Sequence, residues 1–157
     1  MPRRDPRSGA PSGELTLELK RVLPAARSVV FAAFSDPTQL AKWWGPEGFT
    51  TPSLGFEPRV GGRYRIEMQP PEGDRFHLAG EFREVDPPAR LAYTFAWEDP
   101  HPDDAETVVA LSFRNLGEAT EVALTQGPFK TEARRALHRD GWTDSLDKVG
   151  QLLSVRA

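Results

Sequence analysis

The stretch FKTEARRALHRDGWTDSLDKVGQLL, residues 129–153, decides the fold. Phe129, Ala133, Ala136 and Leu137 lead to Trp142, Leu146, Val149 and Leu153, mostly at spacings of three and four, which predicts a long helix, amphipathic throughout. An apolar stripe of that length must be buried against something, and no other element of the chain can cover a wide sheet.

Upstream of Gly127 and Pro128 the period falls to two. Leu15, Leu17 and Leu19 alternate with Thr16, Glu18 and Lys20, giving a first strand that ends near Leu23. Tyr64, Ile66 and Met68 alternate with Arg63, Arg65 and Glu67; Phe76, Leu78, Gly80 and Phe82 alternate with His77, Glu81 and Arg83. Residues 91–97 are nearly continuously apolar and aromatic, as in a central strand covered on both faces. Two further strands are read over residues 107–114 and 120–126, and Phe56 precedes a turn at Val60, Gly61 and Gly62. Between the first strand and this series, Ala26, Val29, Val30, Ala33 and Phe34 mark a short helix with Pro24 in its first turn. Asp36 before Pro37 starts a second short helix, running to about Trp44. The expected architecture is α+β: strand, two short helices, about six antiparallel strands, then a long helix lying across a curved sheet.

Residues 1–13 are rich in Pro, Arg, Gly and Ser and hold no large apolar side chain after Met1, so they read as a disordered tail ahead of a single domain over residues 14–157. The net charge is -3; the tail carries +2, leaving -5 on the domain, the wrong sign for a nucleic-acid partner. With no cysteine there is no disulfide, thiolate nucleophile or thiolate-bound metal. No apolar run of the ~18 residues needed to span a membrane occurs, and the first residues lack a secretory signal, so a cytoplasmic location is expected.

A curled sheet gripping a helix leaves space where the sheet opens, and aromatic side chains there form an apolar pocket. The candidate lining is Phe49, Tyr64, Phe82, Phe95, Trp97, Phe113 and Trp142, with Trp43 and Trp44 beside the opening. Neighbours on a helix point about 100° apart, so Trp43 and Trp44 cannot both face one core. The simpler expectation is that both still pack, one inward and one against the Phe49 loop; the alternative is an exposed indole at a pocket mouth or partner surface. Gly141 costs the last helix about 1 kcal/mol relative to Ala; simple tolerance is one reading, and of the two structural causes close packing explains it better than room for a ligand.

Four segments together carry a family resemblance: Asp36-Pro37 through Lys42-Trp43-Trp44-Gly45-Pro46, the turn Arg59-Val60-Gly61-Gly62-Arg63-Tyr64-Arg65, Gly80 to Pro88 continuing to Arg90-Leu91, and His138 to Gly141-Trp142. In this order they resemble the homologues of the Hsp90 ATPase activator, over roughly residues 15 to 153. That resemblance implies the START-like helix-grip fold, in which relatives bind lipids, hormones or polyketides and a few act as cyclases or aromatase-like enzymes. The activators that name the family have a further N-terminal domain with a leading part in chaperone binding, and this chain has the single module.

Of the three histidines, His77 reads as lying on the polar side of a strand and His101 in an acidic loop, while His138 on the last helix could reach the cavity. No two share a metal-ligand spacing, and no nucleophile elbow or phosphate loop is present. No catalytic residue, metal or cofactor is assigned. The expected function is binding of a small apolar or aromatic ligand, in transport, sensing or stress protection. The alternatives are a docking module for a chaperone and a cyclase or hydrolase with His138 as base.

Overall fold

A computed structural model describes residues 15–156, so the expected tail lies outside the described residues. The chain runs β1 (Leu15–Leu23), α1 (Arg27–Ser35), α2 (Pro37–Leu40), β2 (Thr50–Phe56), β3 (Arg63–Gln69), β4 (Phe76–Asp86), β5 (Arg90–Trp97), β6 (Thr107–Asn115), β7 (Thr120–Phe129) and α3 (Glu132–Arg156). The seven strands form one antiparallel sheet in the order β1-β7-β6-β5-β4-β3-β2, which closes the first strand against the last.

The period-two pattern sorts the side chains by face, as side chains alternate along a pleated strand. Leu17, Tyr64, Ile66, Met68, Leu78, Phe82, Val109, Leu111, Phe113, Val122 and Leu124 are all buried in one core. Residues 91–95 of β5 are buried without interruption, as expected for the middle strand of seven. At Gly80 the sheet needs the absence of a side chain: a Cβ there would sit 1.9 Å from the Thr94 carbonyl oxygen and 2.5 Å from Tyr64 Cε2. The Tyr64 ring passes over that gap and its hydroxyl donates to the Thr94 carbonyl at 2.6 Å.

Three local expectations change. First, α2 ends at Leu40, and the amides of Trp43 and Trp44 both donate to the Leu40 carbonyl, at 3.2 and 3.1 Å. The chain there is a tight turn rather than a helix, so the 100° argument lapses and both indoles are buried. Second, α1 starts after Pro24, with Ala26 as its N-cap, and Val29 is 37% exposed while Val30, Phe31, Ala33 and Phe34 are buried. Third, Phe129 is the last residue of β7, paired with Leu15, rather than the first of the helix. Helix α3 instead starts at Glu132, capped by Thr131, whose hydroxyl accepts from the Arg134 amide at 3.1 Å.

Nor is α3 amphipathic throughout. Trp142, Leu146, Val149 and Leu153 are buried, but Ala133, Ala136 and Leu137 are exposed. The helix packs closest on β1 and β7. Its guanidinium groups at Arg135 and Arg139 donate to the Thr16 and Glu18 carbonyls of β1, each at 3.4 Å, and Asp147 accepts from Arg21 at 2.7 Å.

Candidate functional site

Because α3 sits over the β1 and β7 side of the sheet, its first turns do not reach the ends of β3, β4 and β5 that lie opposite. A cavity of about 360 Å³ remains between them. One wall is helical, from Leu137, His138, Gly141, Trp142 and Ser145; the facing wall is Met68, Phe76, Phe95 and Trp97 from the sheet; Trp44, Gly45, Pro46 and Phe49 close one side. The exposed apolar residue of the helix is thereby explained, because Leu137 faces the hollow instead of the sheet.

Six of the ten expected lining residues are there: Trp44, Phe49, Phe95, Trp97, His138 and Trp142. The other four are not. Tyr64 and Phe82 pack with Phe56 and Tyr93 at the far ends of β3 and β4, with ring centroids 4.8–6.3 Å apart, and Phe113 packs on Phe31 and Phe34 at 5.3 and 5.4 Å. Trp43 lies in the core against Phe34, its indole N–H donating to the Ala33 carbonyl at 2.9 Å. Alternation reports which face a residue occupies but not its level along the strand, and these four sit at the closed level. Trp44 meets Trp142 edge-on at 5.2 Å and Phe95 at 6.5 Å, rather than the Phe49 loop. Neither indole of the pair is exposed, so neither Trp43 nor Trp44 is a free docking handle.

Sequence reasoning missed Met68 and Phe76, which are cross-strand partners at the open level, and the polar residues of the mouth. It also mistook Gly141. A Cβ at this position would lie 3.7 Å from Pro46 Cγ, an ordinary contact, so no close packing demands glycine and its bare surface adds to the hollow.

The walls are held by polar bonds behind them. The Ser145 hydroxyl accepts from the Gly45 amide and donates to the Gly45 carbonyl, both at 3.1 Å and both buried; Asp144 accepts from the Glu47 amide at 3.1 Å, and Lys148 donates to the Pro46 carbonyl at 3.2 Å. These bonds stitch the Trp44 turn to α3. Trp142 donates its indole N–H to Gln126 at 2.7 Å, and Gln126 donates to Thr107 at 2.9 Å, so this buried chain is satisfied.

All three histidines line the cavity, including His77 and His101, neither of which was expected there. His77 lies 3.3 Å from Glu67, and His101 Nδ1 accepts from the Asp103 amide at 3.1 Å. Asp104 accepts from the His101 amide at 2.8 Å and pairs with Arg134 at 3.5 Å, which ties the loop between β5 and β6 to α3. His138 is different. Its ring packs against Phe129, Phe95 and Trp97 at 5.0, 5.4 and 5.9 Å, and it makes no hydrogen bond to any described residue. Burial pushes its pKa down to about 4; Asp104 opposes that shift and Arg134 adds to it. At neutral pH it is an uncharged imidazole with one donor and one acceptor open. Among the described residues no three His, Asp or Glu side chains converge as a metal cage, and no helix is long and apolar enough to cross a membrane.

The fold has solved counterparts. A protein from Chromobacterium violaceum is 29% identical with a TM-score of 0.81, over 88% of this chain and 96% of that one. A protein of Silicibacter pomeroyi carrying the AHSA1 designation gives the same identity and TM-score, over 90% and 99%, and one from Rhodobacter sphaeroides is 26% identical, TM-score 0.78, over 93% and 97%. No functionally curated protein matches the sequence. The profile described as "Activator of Hsp90 ATPase homolog 1-like protein" matches residues 24–154. The curved seven-stranded sheet, the two short helices and the long terminal helix agree with that match, and the chain belongs to this family of the START-like superfamily.

Proposed function

We propose that this protein works in the cytoplasm as a binder of a small apolar, ring-bearing molecule, held without chemical change between α3 and the open ends of β3, β4 and β5. The observation that carries this reading is the hollow itself: about 360 Å³, within the roughly 300–1,000 Å³ range of small-molecule sites, with six aromatic side chains in its walls. Rings such as these would fill a space of that size if the core were selected for packing alone.

Trp44, Trp97 and Trp142 line the cavity, so an occupant changes their emission. A panel of lipids, flavonoids and polyketide-like compounds is expected to contain members that quench tryptophan fluorescence and raise the melting temperature; at a hundred times Kd the stabilisation is about 2.7 kcal/mol. A panel in which every compound leaves both signals unchanged refutes the reading.

Family membership favours a second reading, docking to an Hsp90-type chaperone. Its test is pull-down with a bacterial Hsp90 and an ATPase assay with and without this protein. Absence of both binding and stimulation removes it.

A further inference from the structure

We propose that the occupant is an uncharged aromatic molecule bearing a hydroxyl that hydrogen-bonds to His138, and that apolar carboxylates such as fatty acids are turned away. This rests on the cavity-binding reading and narrows it to a ligand class.

Three observations converge. The walls are flat rings, with Met68 and Leu137 the aliphatic exceptions among the large apolar side chains, and ring faces and edges stack on a planar ligand. Set among them, His138 has open hydrogen-bonding capacity on both ring nitrogens, and a hydroxyl offers the donor and acceptor that match it. An apolar skeleton without such a group leaves the imidazole desolvated and unpaired, which costs affinity.

The third observation is the charge at the mouth. Among the described residues lining the cavity, Arg134 is the one lysine or arginine, and it is engaged by Asp104. Asp99 adds a further exposed carboxylate to the lining. His77 is already turned to Glu67, His101 lies 4.0 Å from the Asp103 carboxylate, and His138 is uncharged at neutral pH. A ligand carboxylate would therefore lose its hydration next to a net negative rim, with no free cation to replace it.

Naphthalene, 2-naphthol and 2-naphthoate share one ring system and separate the three cases. Calorimetric titration of the intact protein at neutral pH should find 2-naphthol binding about tenfold more tightly than either of the others, the size of one net hydrogen bond. In His138→Leu, 2-naphthol should lose its advantage over naphthalene, while naphthalene itself should bind at least as tightly as before because no unpaired imidazole is left behind. Asp99→Asn, a surface change that leaves the fold alone, should strengthen 2-naphthoate several-fold without affecting 2-naphthol. If the three compounds bind equally, or 2-naphthoate binds best, the hydroxyl inference is overturned while cavity binding stands. If none binds, and the wider panel also leaves fluorescence and melting unchanged, both fail. A 2-naphthol preference that survives His138→Leu overturns the assignment to that residue.

Discussion

His138 should make the protein lose stability in mild acid, by an amount that follows from its burial. Its folded pKa is about 4, against the ordinary 6.5 it regains on unfolding. Above pH 6.5 both states leave the imidazole neutral and the residue contributes no pH dependence. As pH falls below 6.5 the unfolded chain takes up a proton that the folded protein refuses, so unfolding becomes easier; below about pH 4 both states are protonated and the effect is complete. The full loss is about 3 kcal/mol, at 1.36 kcal/mol per pKa unit, of which about 2.5 kcal/mol is reached by about pH 4.5. Urea unfolding of the wild type and of His138→Leu between about pH 7.5 and pH 4.5 isolates this component, because the carboxylates common to both proteins cancel in the difference. The stability gap should move in favour of the leucine variant as pH drops, with a slope that appears only below about 6.5. Parallel stability curves would refute a buried neutral imidazole, and with it the account of the cavity wall.

Two glycines should respond to alanine with opposite signs. Gly141→Ala places a methyl group in ordinary contact with Pro46, at 3.7 Å, and removes the helix penalty, so thermal unfolding should show a gain of up to about 1 kcal/mol. Gly80→Ala drives a Cβ to 1.9 Å from the Thr94 carbonyl, forcing β4 and β5 apart; denaturant unfolding should show a loss above about 3 kcal/mol, or no folded protein.

The elements were legible because their periods are strong: Tyr64, Ile66 and Met68 could only be a strand face, and Trp142, Leu146, Val149 and Leu153 only a helix stripe. What alternation cannot carry is position along the strand. Tyr64 and Met68 lie on the same face of β3, yet Met68 lines the hollow and Tyr64 is locked in the core above Gly80. That difference depends on where α3 crosses the sheet, a tertiary fact with no local signature. The mouth was invisible for a related reason. Asp104 and Arg134 are thirty residues apart and meet only because the loop after β5 folds onto α3. His138 was readable as cavity-facing from its helix position, but its lack of a hydrogen-bond partner among the described residues depends on Phe95, Trp97 and Phe129, which the ends of β5 and β7 bring around it.

The contacts that Arg135 and Arg139 make with the Thr16 and Glu18 carbonyls bear on how the chain is made. Strand β1 is the first strand to leave the ribosome, its neighbour β7 is the last, and the arginines that shield its outer rim come later still. Through most of synthesis the nascent chain carries an unpaired leucine-rich strand that could recruit another copy, a hazard of sheets joined end to end. Emergence of β7 and α3 therefore both supplies the missing wall of the hollow and ends the period of risk.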